Sequence, residues 1–481
     1  MKSFSYKLSA VILSLTMTVI AVSACTIAVV GSSAGGTPML WKNRDVFNPH
    51  QEVRYFDTTP HSFIANVYSG ETHRAWSGVN DAGLAIVNTD TYNQGFWGGF
   101  GHDDGHVMFH ALANFSTVDE FQEFLDSTNI TTRRSTHCYG LIDASGSAVM
   151  FEAGRDYYVR YDADDAPGGF IVRTNYADCG DGFNLMGWDR RNRAESLLSG
   201  TWEITPELII FDLARDLYTE DLDPYPLPFD GIFGGYPRGV IETRNSINRY
   251  YTTSACVIVG GDTTGRPSTM WQYLGQPAVS IPIPLWVDAK ALPEGLCGTE
   301  GSPFCMMAIE LKAVAYTGLL TVDTYILADI LSRFEPIEEY ILARIRSELE
   351  SGAISAFDFT ELSALQDDFA SAIIAKYVEI RSLYISETDR QMPSQPELTL
   401  YPNPFNSAGN IVFESDRRGL ADVLIYDNLG RLVAVPVSAF PVSAGTNRIP
   451  ISVDGIPSGR YIAVVSLDGD HSAKTPFVLL K

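Results

Sequence analysis

Apolar positions follow two different rhythms along the chain. In its first part they gather in short β-branched runs closed by turn residues. Residues 25–31, Cys-Thr-Ile-Ala-Val-Val-Gly, form one such run, and residues 82–87 form another after a turn at Asn80-Asp81. Residues 140–152 read as a hairpin, with two apolar runs around Asp143-Ala144-Ser145-Gly146. Residues 254–260 read as a buried strand. Helices are expected over Val107–Asn114 and Val118–Leu125, the second capped by Thr117 with Glu120 three residues on. Over residues 306–388 the rhythm changes to threes and fours, as in Ile337, Ile341 and Ile345 and again in Phe369, Ile373, Tyr377 and Ile380, which predicts mainly helix. A polar, Pro-containing linker occupies 389–397. Residues 398–481 return to short strands with turn signals at Asn428-Leu429-Gly430 and Pro457-Ser458-Gly459, the spacing of a small all-β sandwich.

A chain of 481 residues suits two or three domains. Its 58 acidic against 34 basic side chains give a net charge of −24, which argues against nucleic acid or an anionic membrane as the main partner. Residues 1–24 read as a signal peptide: Lys2 and Lys7, an apolar stretch from Leu8 to Ala21, then small residues at Val22-Ser23-Ala24. No later segment is long and apolar enough for a transmembrane helix. Of six cysteines, Cys25 stands at the cut and the other five cannot all pair; Cys297 and Cys305 are spaced to close a small loop. His102 and His106 lie in a Gly/Asp-rich stretch that reads as solvated, so neither a metal nor a cofactor is expected.

Cleavage before Cys25 has a chemical consequence. A thiol on the first residue has its own α-amine beside it, with a pKa of about 7.7–8.0, unprotonated often enough near neutral pH to act as base. Inside the chain that nitrogen is an amide and cannot. Lys42-Asn43-Arg44-Asp45 supplies cations that favour a thiolate and a carboxylate to orient them.

The segments Cys25-Thr26 and Pro38-Met39-Leu40-Trp41-Lys42-Asn43-Arg44-Asp45 resemble the N-terminal-nucleophile hydrolases, in particular the group of isopenicillin-N acyltransferase, penicillin V acylase and bile salt hydrolase. Residues 78–88, Val172-Arg173-Thr174-Asn175-Tyr176 and Arg244-Asn245-Ser246-Ile247-Asn248-Arg249 are similar to further motifs of that group, in the same order. The resemblance implies an α+β fold, a four-layer αββα sandwich with a helical extension, over residues 25–388. It implies Cys25 as nucleophile, its α-amine as base and Asp45 as the carboxylate holding the amine. Asn175 becomes the oxyanion donor, Asn88 the candidate second donor, and Arg249 or Arg244 the distal arginine. Where the bile salt hydrolases carry an arginine three residues before the aspartate, this chain has Lys42, with Arg44 nearby, so either cation is a candidate to face the thiol. Tyr92, Phe96 and Trp97 are candidates to line the pocket.

Leu400-Tyr401-Pro402-Asn403-Pro404-Phe405-Asn406, residues 425–431 and Ile456-Pro457-Ser458-Gly459-Arg460-Tyr461 are similar to the type IX secretion sorting domain, an immunoglobulin-like sandwich. That resemblance implies the type IX machinery as partner and a secreted or cell-surface protein that has passed through the periplasm. The expected reaction is hydrolysis of a small-molecule amide, non-peptide or N-acyl, through a thioester on Cys25, or transfer of the acyl group to an amine. Two other readings compete. One is a Cys-terminal dipeptidase of a related family. The other takes Val22-Ser23-Ala24-Cys25 as a lipobox, with lipid on Cys25 and a binding role; the apolar strand that follows directly at Thr26 disfavours it.

Overall fold

The computed structural model describes residues 24–95, 103–134, 136–298, 301–318, 320–350, 358–384, 398–406, 408–415, 419–427, 431–443, 445–453, 456–467 and 470–479. The expected leader up to Ser23, the linker at 389–397, and Phe96, Trp97 and His102 lie outside them. The described residues fall into two compact units, within Ser23–Pro393 and within Ser394–Lys481.

The larger unit is α+β. Its strands are β1 (Thr26–Val30), β2 (Met39–Asp45), β3 (Gln51–Phe56), β4 (Phe63–Tyr68), β5 (Ser77–Asn80), β6 (Ala85–Asp90), β7 (His137–Ile142), β8 (Ala148–Ala153), β9 (Tyr158–Asp162), β10 (Phe170–Arg173), β11 (Val240–Glu242), β12 (Thr252–Val259), β13 (Thr269–Leu274), β14 (Ile283–Leu285), β15 (Tyr316–Gly318) and β16 (Thr321–Asp323). Its helices are α1 (Ser32–Gly35), α2 (Asp104–Asn114), α3 (Val118–Thr131), α4 (Trp188–Ser199), α5 (Pro303–Ala315), α6 (Thr324–Glu350) and α7 (Phe359–Tyr384). One six-stranded antiparallel sheet has the order β10-β1-β2-β12-β13-β14, so the strand that follows Cys25 is internal. A seven-stranded meander runs β3-β4-β5-β6-β7-β8-β9, and a small sheet joins β11, β16 and β15.

Strand alternation accounts for the packing. Ile27, Val29 and Leu40 from the first sheet share one buried core with Val87, Cys138 and Met150 from the second. The approach is close enough to need glycine: a Cβ on Gly140 would lie 2.7 Å from Val29 Cγ2. The other face of the meander, with Phe63, Ile86 and Tyr139, packs on Leu112 of α2 and Phe121 of α3. Thr117 caps α3 in a full capping box with Glu120, as its sequence predicts. The first sheet's core continues into α5, α6 and α7 through Phe304, Leu311, Phe334, Phe369 and Tyr377. The described residues from 306 to 384 are therefore mainly helical, interrupted by the β15–β16 hairpin. All six cysteines are free thiols; Cys305 is buried and donates to Pro49 O at 3.1 Å while Cys297 is exposed, so the small disulfide loop considered above is not formed.

The smaller unit is all β, with β17 (Thr399–Asn406), β18 (Ala408–Ser415), β19 (Gly419–Asp427), β20 (Leu432–Val442), β21 (Gly445–Ser452), β22 (Gly459–Leu467) and β23 (Asp470–Leu479), ordered β20-β19-β22-β23-β17-β18-β21. It has its own core, which includes Ile411, Phe413, Ile425, Ile449, Ala463 and Val465. Among the described residues no helix is long and apolar enough to cross a membrane.

Candidate active site

Cys25 enters β1 from its N-terminal side, buried, in antiparallel register with β2. Thr26 pairs with Asn43 and Ile27 with Lys42, and Ala24 N–H extends the register by donating to Asp45 O at 3.1 Å. Alternation then sorts the motif Lys42-Asn43-Arg44-Asp45 between the two faces of the sheet. Lys42 and Arg44 lie on the face toward the meander; Asn43 and Asp45 lie on the other.

On the meander side, Lys42 is buried and its Nζ donates to Trp76 O at 2.7 Å and to Asn88 Oδ1 at 2.6 Å. It is the charge that acts most strongly on the Cys25 thiol. Burial pushes that thiol up, opposed first by Lys42. Burial likewise pulls the Lys42 ammonium down, opposed first by Cys25. Arg44 turns aside: its guanidinium lies 4.3 Å from the ring centre of Tyr68 and 4.6 Å from that of Trp76, and bonds Gln51 Oε1 at 3.0 Å. Lys42 thus points toward Asn88, and Arg44 toward the two aromatic rings and Gln51. Asn88 donates its Nδ2 to Asp104 Oδ2 at 2.8 Å, which leaves that amide committed between Lys42 and Asp104.

On the opposite face, Asp45 is buried and accepts from Thr252 Oγ1 at 2.7 Å. Among the described residues its other oxygen, Oδ2, has no hydrogen-bond partner, nor does Arg249 Nε. The two stand 3.7 Å apart, and Arg190 Nη1 is 3.8 Å from the same oxygen. Burial raises the Asp45 carboxyl against the pull of Arg249 and Arg190. Arg244 is not in the cluster: its side chain is exposed and pairs with Glu242 at 2.6 Å. Five residues further on, at the start of the turn that leads into β12, Arg249 is the arginine that reaches Asp45.

Arg190, on the first turn of α4, escaped the sequence reading and ties the site together. Its Nη1 donates to Cys25 O at 2.9 Å and to Thr26 Oγ1 at 2.6 Å, and its Nη2 donates to Asn175 Oδ1 at 2.8 Å. Burial brings its pKa down to about 10, against the pull of Asp45. With its oxygen held by Arg190, Asn175 presents Nδ2 to Thr89 Oγ1 at 3.2 Å and Asp90 O at 3.3 Å. Thr89 Oγ1 in turn lies 3.4 Å from Cys25 O. Tyr92 sits nearby, its hydroxyl 3.3 Å from Asp90 Oδ2. Cys25, Lys42, Asp45, Asn88, Asn175 and Arg249 are thus gathered, and Arg44 and Arg244 are directed elsewhere. A cavity of about 390 Å³ opens beside the segment that follows Asn175, lined in part by Tyr176, Leu185, Trp188 and Arg191. A larger one, about 810 Å³, lies between α4 and α6, and neither cavity is lined by the residues gathered around Cys25.

Residues 399–478 match the family model of the secretion system C-terminal sorting domain. The smaller unit is thus a type IX sorting domain, which implies export to the surface or the medium. Among solved structures, the chain is similar to an N-acylethanolamine-hydrolyzing acid amidase ortholog from Caenorhabditis elegans (14% identity, 49% of this chain and 92% of that one, TM-score 0.34). It is similar to a mutant conjugated bile acid hydrolase from Clostridium perfringens (13% identity, 57% and 94%, TM-score 0.33). A third likeness is to penicillin V acylase from Agrobacterium tumefaciens (18% identity, 58% and 89%, TM-score 0.32). No curated protein matches the chain.

Proposed function

We propose that the larger unit is a four-layer αββα N-terminal-nucleophile hydrolase, spanning residues 25–388, that a cut between Ala24 and Cys25 activates, and that its tail is an immunoglobulin-like sandwich for export. One observation carries the reading. Among the described residues Asp45 Oδ2 is a buried carboxylate oxygen without a hydrogen bond, between two guanidiniums, on a residue whose main-chain O accepts from Ala24 N–H. An orphaned buried acceptor is costly to keep. A free α-amine on Cys25 would give it a donor, so processing completes a site that the precursor leaves unfinished.

The reaction follows from the groups present. The Cys25 thiol attacks an amide carbonyl while the α-amine takes its proton, and Lys42 stabilises the thiolate character that develops. Asn175 Nδ2 donates to the oxyanion. Its bonds to Thr89 and Asp90 are long and to neutral acceptors, which a charged acceptor can displace. The C–N bond breaks with return of the proton to the leaving amine, and water or an acceptor amine resolves the thioester. The burial of Cys25 also supports a nucleophile over a lipid-bearing residue.

Protein processed to begin at Cys25 should release amine from an N-acyl amide and form a mass adduct of the acyl group on Cys25. The same chain with one alanine left before Cys25 should do neither. Equal turnover by the two forms would sink the N-terminal mechanism.

A further inference from the structure

Behind Lys42 stands a row of polar groups that the acyl-transfer steps leave unused. Lys42 Nζ reaches Asn88 Oδ1 (2.6 Å), and Asn88 Nδ2 reaches Asp104 Oδ2 (2.8 Å). Beyond Asp104, His137 Nδ1 lies 3.0 Å from Asp90 Oδ1. One atom each of Asp90, Asp104 and His137 lie within 4.8 Å of one another. The groups come from β2, β6, α2 and β7, so only the folded unit brings them together. Asp104 is also relieved of the usual duty of an acid at a helix start. Asp103 caps α2, accepting from His106 N, and pairs with Arg74 at 3.0 Å.

The chemistry of the row fixes its direction. An ammonium only donates and a carboxylate only accepts, so the amide between them has one orientation, carbonyl to Lys42 and NH2 to Asp104. A lysine is a point charge on a flexible stem and lacks the fork with which an arginine fixes its own direction. Lys42 therefore depends on its acceptors to be aimed.

We propose that Asp104, backed by the His137–Asp90 pair, is a positioning residue that holds the Lys42 ammonium against the Cys25 thiol through Asn88. This deepens the reading of Cys25 as nucleophile. Asn88 then serves in aiming Lys42, and its amide nitrogen is withheld from the oxyanion. The Asp90, Asp104 and His137 cluster has the donor types of a divalent-cation site. In the present arrangement, however, Asp104 is committed to Asn88, and Asp90 to His137 and Tyr92.

The test compares Asp104→Asn and Asp104→Glu with the wild-type chain, each processed to begin at Cys25 and checked for an unchanged fold by circular dichroism and thermal melting. The rate at which iodoacetamide alkylates Cys25 is followed against pH by peptide mass, and kcat and KM are measured separately. An asparagine at 104 can donate as well as accept, so it no longer dictates the direction of Asn88. D104N should shift the alkylation profile to higher pH and lower kcat about ten-fold, the worth of one hydrogen bond to a charged group. KM should stay within about two-fold, because no substrate contact is lost. D104E keeps a carboxylate and should restore most of the alkylation rate. An unchanged alkylation profile in a folded D104N chain overturns the proposal. So does stoichiometric binding of Zn²⁺ or Mn²⁺ that D104N abolishes, since the carboxylates would then be ligands. If the wild type cleaved no amide but its alkylation profile still answered to Asp104, the functional reading would fall and the positioning role would stand.

Discussion

Lys42 and Arg44 lie two apart on one strand, on the same face, and meet different fates. Arg44 is drawn onto Tyr68 and Trp76, where its planar cation stacks, while Lys42 is left with Trp76 O and Asn88. On the other face a single guanidinium, that of Arg190, holds Cys25 O, Thr26 and Asn175 at once. Arg190→Leu should therefore lower kcat/KM by about a hundred-fold or more, since Asn175, the proposed oxyanion donor, loses its anchor. It should also cost on the order of 3 kcal/mol in urea unfolding, because a buried charge partner is lost to Asp45. Near wild-type turnover in this variant would remove Arg190 from the site. His137 gives a prediction in pH. Burial opposes its charge, but Asp104 and then Asp90 overcome that, so its pKa is raised. A raised imidazole contributes stability that is complete below the unfolded value of about 6.5 and is lost as pH rises through the folded value. The melting temperature of wild type over His137→Gln should thus be greatest in mild acid and narrow toward alkaline pH. A gap that widened with pH would contradict the sign.

At the scale of elements, the start of α4 delivers Arg190, and a glycine makes the delivery possible. Gly187 has φ +85°, and a Cβ there would lie 2.3 Å from Arg190 Nη2. Gly187→Ala should cost about 1–2 kcal/mol of backbone strain and, by displacing the guanidinium, lower kcat. The loss of activity should exceed that in a helix-surface control such as Ser196→Ala, and equal activities would refute the link. The sequence makes some of this legible and not the rest. β1, the β7–β8 hairpin, β12 and the capped α3 are visible because local rules govern them: runs of β-branched residues, a Ser-Gly turn, a Thr/Glu box. Cys25, Asp45 and Asn175 are legible because their motifs are contiguous. Arg190 is not, because Asp189-Arg190-Arg191-Asn192-Arg193 reads as any polar helix surface, and only packing selects the one arginine that turns inward. Arg191 and Arg193 pair instead with Asp178 and Asp216. The same limit explains Arg244 and Arg249. Both belong to one motif, and the turn between them, with Ser246 bonded to Thr243 O and Asn248 O, decides which faces Asp45. Asp104 and His137 are separated from Lys42 by whole elements, so no spacing in the sequence announces them.

For the whole molecule the question is whether export and chemistry are separable. Within the described residues the core of the smaller unit begins at Leu398 and shares no side chain with the cores of the larger one, which end at Ile380. Units with separate cores fold and unfold as separate transitions unless a large apolar interface couples them. Cys25, Lys42, Asp45, Asn88, Asn175, Arg190 and Arg249 all belong to the larger unit. A chain ending at Pro393 and processed to begin at Cys25 should therefore keep kcat and KM within about two-fold of the full-length protein and lose one of two calorimetric transitions. In the native host the same truncation should leave the protein inside the cell envelope, because the sorting domain matched at 399–478 is gone. Cell fractionation with an antibody to the larger unit, read beside the calorimetry, separates these effects. Loss of catalysis on removing the tail would mean that the second unit supports the site, and undiminished delivery to the medium would mean that the tail is not what carries the protein out.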